Sequence, residues 1–549
     1  MKKLNKSKSV ALLFSDPALD KTIKSLLFLI SIIVLATTIN RAHAQALPDG
    51  YDVILLAGQS NMAGRATLNT SDSDAATDPR IFMWHPISGI ITAQDPLVHQ
   101  EQRNIGTAGL ALTFAKEYLK TIPSNRKVLL VGAAYGGTSF YEDVTAPKAR
   151  WNFTQQAFEN VSNLHHRWMV TQNTAVGGDL YRGAVRRAND AMAAAGSGAR
   201  FVGILWHQGE SDAVVGGADD YATNHRALMA AFRSEITGAT STTPIVVGEF
   251  NPCFMAACPD RTGAQPTAET FQKILNYFHT LPETMHNTAW VSSAGLGWMS
   301  DGTHFDLPSI RQLGRRYADK FFEAKNDLPQ PITDLKIYNQ KYFNVGRSLH
   351  NDPLSARIDG NVTIQGTVSN IPSAEHGYVV KIDNTLGALA INTDGSLFNS
   401  SYTKMVWVKL NTLSYTNNLI AGLSSAQRHH LNIPNGRPAA GHGSSTTTYV
   451  QSPSSISVNT WAHIAVVYHQ GSQVMKLYVN GVLADTALSV PSAPLQSGAM
   501  DLQLSRYGTG SSTYGIDGLM IDNKVYQTAL NATQIAAIYN FELTNKAGY

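Results

Sequence analysis

From residue 51 to about residue 325, short apolar runs alternate with longer amphipathic segments, and this alternation narrows the fold more than any other feature. Residues 51–57 (YDVILLA), 127–133 (KVLLVGA), 201–206 (FVGILW), 244–250 and 288–292 have the length and near-continuous apolarity of buried strands. Residues 106–121, 180–195, 221–236 and 308–325 read as helices, the last with proline in its first turn. Strand–helix alternation implies right-handed crossovers, and so an α/β domain with a parallel sheet covered on both faces.

After Lys325 the pattern changes. Leu328-Pro329-Gln330-Pro331 has the character of a linker. Beyond it the runs are short and β-rich, as in 403–410 (TKMVWVKL), 461–468 (WAHIAVVY) and 474–479 (VMKLYV), and Asn480-Gly481 is a strong hairpin signal. This half reads as an all-β antiparallel sandwich. At 549 residues the chain exceeds what one core supports. The expected organisation is an α/β domain over 48–326, a linker over 327–344 and the sandwich over 345–546.

The first 44 residues read as a signal peptide. Lys2, Lys3, Lys6, Lys8, Lys21 and Lys24 lead into an apolar run from Leu26 to Ala36, and Ala42-His43-Ala44 is a small-x-small cleavage pattern. The run is short for a bilayer span, although an uncleaved anchor is the competing reading. The expected location is secreted or periplasmic/extracellular. Residues 1–44 hold seven Lys/Arg and two Asp/Glu, so removing them leaves 36 basic and 38 acidic residues. The basicity of the whole chain belongs to the leader, and no nucleic-acid footprint remains. Cys253 and Cys258 are the two cysteines. Their spacing allows a local disulfide in an exported protein or leaves two idle thiols, and no further ligands nearby support zinc.

In an open parallel sheet, ligands bind off the carboxyl ends of the strands. The unusual residues fall there. Gly58-Gln59-Ser60-Asn61-Met62-Ala63-Gly64 follows the first run, Tyr135-Gly136-Gly137-Thr138-Ser139 the second and His207-Gln208-Gly209-Glu210-Ser211-Asp212 the third. Asp301-Gly302-Thr303-His304 precedes the last helix. Ser60 on a tight strand-to-helix turn would expose a hydroxyl, which is a weak nucleophile without a base. His304 can supply that base, and Asp301 can hold its tautomer. Donors for a developing oxyanion would be the Ser60 N–H, the Gly136 N–H and the Gln208 side-chain amide. Gln59, Asn61 and Glu210 are candidate supporting residues. Glu210 is read either as a general acid or, more simply, as a tie between two loops.

Each piece has a plainer reading. A serine in a glycine-rich turn is usually only a turn, and Asp-x-x-His is commonly a helix cap beside a surface histidine. His85 and His207 read as structural or substrate-edge residues. His165-His166 and His429-His430 lack a third ligand, so no metal is expected. It is the convergence of four segments on one sheet edge that raises the functional reading above the plain one.

The four motifs GQSNMAG, YGGTS, WHQGESD and DGTHFD, in this order over about residues 50–325, resemble the SGNH hydrolases. More narrowly they are similar to the branch holding carbohydrate esterase family 6 and the sialate O-acetylesterase-like proteins. The resemblance implies a serine O-acetylesterase acting on acetylated sugars without a cofactor. It places the nucleophile on Ser60, the acid on Asp301, the base on His304 and the oxyanion donors on Gly136 and Gln208. The SGNH group at large has asparagine where this chain has Gln208. Residues 459–465 (NTWAHIA), 477–483 (LYVNGVL) and 515–521 (GIDGLMI) resemble a laminin-G or concanavalin A-like sandwich, covering about 345–545. That resemblance implies glycan binding, in some members with Ca2+. Trp407 and Trp461 lie inside strand-like runs and read as core. The rival readings are a glycan-binding or adhesion protein with an inactive hydrolase domain, and a lipase-like or thioesterase hydrolase with a larger acyl groove.

Overall fold

The computed structural model describes residues 49–101, 105–140, 148–152, 155, 157–161, 167–171, 179–255, 266–328, 333–335, 362–365, 368–373, 377–382, 388–394, 400–422, 429–443, 447–493, 499–505 and 515–544. The leader, Cys258, His165-His166 and most of the linker lie outside them. Gly50–Tyr549 forms one compact unit.

The first half is built on a seven-stranded sheet. Its strands are β1 (Gly50–Gly58), β2 (Ile81–His85), β3 (Gly89–Thr92), β4 (Arg126–Gly132), β5 (Arg200–His207), β6 (Ile245–Gly248) and β7 (Thr288–Val291). They lie in the order β7-β6-β5-β1-β4-β2-β3. All pairs are parallel except β2–β3, an antiparallel edge hairpin that the sequence reading did not anticipate. The helices are α1 (Ser60–Ala63), α2 (Ala111–Leu119), α3 (Asp179–Ala195), α4 (Glu210–Val215), α5 (Tyr221–Glu235), α6 (Ala268–Thr284) and α7 (Leu307–Lys325), with one further helical turn at Pro252–Met255.

Residues of β1 alternate between two cores. Val53, Leu55 and Ala57 pack with residues of α3, α5 and α6, while Ile54 and Leu56 pack with residues of α2 and α7. Each strand residue is thus buried by one of two helix layers, which is why β1 reads as an unbroken apolar run. At the start of β1 the fully buried Asp52 takes hydrogen bonds from Arg126, Arg200 and Tyr118. Burial alone would raise its carboxyl, but those three bonds hold it below the usual value. Arg126 and Arg200 open β4 and β5, so the three central strands are pinned together at the end remote from the Ser60 turn.

The second half is the antiparallel sandwich expected from sequence. One sheet runs Val368–Ser373, Gly377–Ile382, Gly518–Tyr526, Tyr402–Leu410, Ala462–His469, Val474–Val479, Val482–Ala487, and Thr333–Leu335 pairs with Gly518–Tyr526. The other runs Val362–Gln365, Ala388–Asp394, Ala499–Leu504, Asn418–Gly422, His429–Asn432, Ala439–His442, Val450–Gln451. Asn480 and Gly481 both have positive φ, 50° and 74°, as the hairpin between Val474–Val479 and Val482–Ala487 demands.

On the inner face of Tyr402–Leu410, the fully buried Lys404 meets His429 of the opposite sheet, with Tyr402 bonded to His442 close by. The outer face is covered by α8 (Ala532–Thr544), which packs Ile535 and Ile538 against Met405 and Tyr478. Trp407 and Trp461 are core residues of this face. Phe322 of α7 stacks on Phe541 of α8 with ring centroids 4.0 Å apart, and Gln534 donates to the Asp327 carbonyl. Cys253 is disulfide-bonded.

Candidate active site

The turn after β1 is fixed by its neighbours. Gly58 has φ 134°, and a Cβ there would stand 2.1 Å from the His207 carbonyl oxygen, so the position requires glycine. Gln59 donates its N–H to that oxygen at 2.9 Å, and Tyr135 donates to the Gly58 carbonyl at 2.9 Å. The ends of β1, β4 and β5 are therefore tied into one ledge. Ser60 stands on it as the first residue of α1, only 6% exposed.

The loop after β7 brings the base. Met299 N–H bonds to the His304 carbonyl at 2.8 Å, and Asp301 Oδ1 accepts the Thr303 and His304 N–H groups at 2.8 and 3.0 Å. Asp301 Oδ2 lies 2.6 Å from His304 Nδ1, and His304 Nε2 lies 2.9 Å from Ser60 Oγ. A carboxylate facing Nδ1 fixes the ring proton there and leaves Nε2 as the acceptor for the serine hydroxyl. Burial pushes the Asp301 carboxyl up, but the hydrogen bond from His304 and the two backbone N–H groups outweigh it and hold the group below its usual value. Asp301 is thus kept ionised beside the ring.

Asn61 registers the base loop against the serine turn. Its Nδ2 donates to Glu210 Oε1 at 2.9 Å and to the Thr303 carbonyl at 3.2 Å, and its Oδ1 accepts the Phe305 N–H at 3.2 Å. The two backbone partners flank His304. Of its two expected readings, Glu210 has the geometry of the loop tie: it is buried, opens α4 and holds Asn61. Gln59 Oε1 accepts the Ser211 N–H at 3.3 Å, a second link to α4. His207 is fully buried beneath the site, with Nδ1 3.0 Å from the Tyr317 hydroxyl, and burial lowers its pKa to about 3, so it stays neutral.

The other two expected oxyanion donors face elsewhere. Gly136 gives its N–H to Glu101 Oε2 at 2.8 Å. Gln208 Nε2 donates to Asp212 Oδ2 at 2.6 Å and to the Thr138 carbonyl at 2.9 Å, with no side-chain exposure. Reversing that amide would set its oxygen against a carboxylate and a carbonyl, so the orientation is chemically determined. Ser60 N–H, by contrast, has no acceptor among the described residues, as befits the first N–H of a helix.

Residues 50–323 match the family described as "Carbohydrate esterase, sialic acid-specific acetylesterase". The N-terminal domain belongs to that carbohydrate esterase family. Residues 383–536 match the "Concanavalin A-like lectin/glucanases superfamily". The chain is similar to a probable 9-O-acetyl-N-acetylneuraminic acid deacetylase of Escherichia coli (strain K12), 26% identical over 215 residues, covering 34% of this chain and 62% of that protein. The match thus spans somewhat less than two thirds of the relative's length. The crystal structure of NanS aligns with a TM-score of 0.39 at 19% identity, over 50% of this chain and 98% of that one. Domain 4 of an extracellular arabinanase from Geobacillus stearothermophilus, solved with arabinotriose, aligns with a TM-score of 0.28 at 18% identity, over 38% of this chain and 100% of that domain.

Two residues of the acetylesterase domain that sequence reading missed stand beside Ser60. Arg65 Nη2 pairs with both Glu101 oxygens at 2.8 and 2.9 Å. A Cβ on Gly136 would lie 2.5 Å from Arg65 Nη2 and 3.4 Å from Ser60 Cβ, so the absence of a side chain at 136 makes room for the guanidinium next to the serine. Arg65 follows GQSNMAG directly, a signal that was available; Glu101 sits in a segment without pattern.

Proposed function

We propose that this protein is an exported serine carbohydrate O-acetylesterase that removes acetyl groups from acetylated sugars or polysaccharides. The observation that carries this is the chain Ser60 Oγ–His304 Nε2 (2.9 Å) and His304 Nδ1–Asp301 Oδ2 (2.6 Å), set at the carboxyl edge of a carbohydrate esterase domain. His304 Nε2 takes the Ser60 proton as Oγ bonds to the acetyl carbonyl carbon. The carbonyl electrons move onto oxygen, which accepts a hydrogen bond from the Ser60 N–H, and Asp301 stabilises the imidazolium. Collapse breaks the bond to the sugar oxygen, which takes the proton from His304, leaving acetyl-Ser60. Water, deprotonated by the same histidine, releases acetate and restores the serine.

The chemistry uses no cofactor. Export rests on the basic lead, the apolar run and Ala42-His43-Ala44 in the first 44 residues. Among the described residues no helix is long and apolar enough to cross a membrane. The sandwich domain, by its superfamily, serves to hold glycan. The decisive test is acetate release from a panel of acetylated sugars and polysaccharides by the full chain and by Ser60→Ala. Release by the wild type alone supports the reading; equal release by both sinks the assignment of Ser60, and preference for octanoyl over acetyl esters would replace a sugar acetylesterase with a lipase-like enzyme.

A further inference from the structure

The triad accounts for the acetyl group and leaves the sugar unexplained. Beside Ser60 the fold builds a second polar feature that the chemistry does not use. Gly64, with φ 95°, ends α1; a Cβ there would stand 2.7 Å from the backbone of Ala108 and Gly109. This sharp exit turns Arg65 back towards the site. Its Nη1 donates to the Gly64 carbonyl at 3.0 Å and its Nη2 to Glu101, so the guanidinium plane is held from two sides. Glu101 is in turn held by Gly136 N–H. The side chains remain partly open, 20% for Arg65 and 13% for Glu101.

A planar guanidinium carries five N–H donors, and a carboxylate offers about four acceptor positions. The Gly64 and Glu101 contacts take one Nη1–H and the Nη2–H groups and leave the second Nη1–H and the Nε–H for a ligand, while Glu101 keeps lone pairs beyond those given to Arg65 and Gly136. Arg65 Nη2, Glu101 Oε2 and Ser60 Cβ lie 2.5, 3.2 and 3.4 Å from the point a Cβ on Gly136 would take, so donor and acceptor stand side by side around the same space as the nucleophile's carbon. A sugar hydroxyl both donates and accepts, so this pair matches it in a way that an alkyl or aryl group cannot. On a bound sugar, the hydroxyl on the ring carbon adjoining the acetylated one is the polar group nearest the ester, and so the one that a pair beside Ser60 would meet. We propose that Arg65 and Glu101 form a hydroxyl-recognition pair, making the preferred substrate a sugar that carries a free hydroxyl beside the acetyl ester. This rests on the esterase reading above and specifies its substrate class.

The experiment compares kcat/KM for a mono-O-acetylated methyl hexoside with that for its peracetylated counterpart, in the wild type, Arg65→Lys, Arg65→Ala and Glu101→Gln. A site polar group left unpaired by the wrong substrate discriminates strongly, so the wild type is expected to prefer the free-hydroxyl substrate by at least tenfold. Arg65→Lys keeps the charge but loses the fork, and Glu101→Gln keeps the shape but loses the acceptor charge. Each is expected to lower that preference at least fivefold. Because the readout is a ratio within one protein, a general loss of activity or folded fraction cancels. No preference in the wild type, or a preference that changes less than fivefold in both conservative variants, overturns the inference while leaving the esterase assignment standing. Absence of acetate release from every sugar by the wild type overturns the assignment itself.

Discussion

Each residue of the site depends on others distant in sequence. Ser60→Ala removes the bond-forming atom and is expected to lower kcat by about 10⁴-fold or more, with the thermal midpoint unchanged, measured with a chromogenic acetate ester. Asp301→Asn leaves the loop geometry but offers Nδ1 the wrong partner, so a loss of about 10⁴-fold in kcat is expected. Asn61→Ala cuts both bonds flanking His304 and lets the base drift. Its expected signature is a fall in kcat on the order of 10²-fold with KM little changed, since displacement of the base spoils attack more than binding. An unchanged kcat would show that the loop holds itself. The serine and the acid–base pair were legible because each sits in a short motif whose chemistry is local. The oxyanion donors were not, because the direction of the Gly136 N–H is set by Glu101, 35 positions away, and that of the Gln208 amide by Asp212 and the Thr138 carbonyl.

At the level of elements, the strand-to-helix turn has little tolerance. Gly58→Ala would place a methyl 2.1 Å from the His207 oxygen at a positive φ, and the expected outcome is a destabilisation of about 3 kcal/mol or more, read from chemical denaturation. The central strands were legible because burial on both faces writes itself as an unbroken apolar run. The β2–β3 hairpin was missed because it lies at the sheet edge, where half-exposed residues such as Phe82, Ile90 and Ile91 carry a weaker pattern. Helix α6 escaped notice with Pro282 inside its last turns, a residue that ordinarily argues against helix. Helix α8 was hidden for another reason: it covers a sheet face already expected to be buried by its own tryptophans, so nothing in the strand pattern called for a further layer.

Across the whole molecule, the sandwich core carries an unusual electrostatic load. Lys404, fully buried, meets His429 and lies over the Tyr402 ring, whose hydroxyl is bonded to His442, and burial drives its amine well below the ordinary value. His442 and His430 are lowered to about 4, chiefly by burial. The folded core holds the Lys404 proton less firmly than the unfolded chain, where the amine titrates at about pH 10.4, so unfolding takes up a proton in the window below that value. Stability of the sandwich should therefore rise as pH climbs towards about 10, by up to about 1.4 kcal/mol per pH unit, and fall further below about pH 6.5 as the unfolded histidines also charge. Lys404→Met should flatten the slope on the alkaline side; hydrogen exchange of sandwich peptides in urea would measure it, and a pH-independent wild type would refute it. The sequence held this in plain sight, since Lys404 shares the inward face with Val406, Val408 and Leu410, but alternation alone does not reveal that both faces of that strand are covered. One consequence follows from the stacking of Phe322 on Phe541. Helix α7 begins two residues after His304 with its cap at Asp306, and its contact with the sandwich comes some sixteen residues later, roughly 24 Å along its axis. The sandwich therefore grips α7 well away from the Ser60 turn. On the proposed reading, a polymer held by the sandwich would reach Ser60 as a tethered reactant, and the expected benefit grows from oligomer to polymer and vanishes for a free monosaccharide.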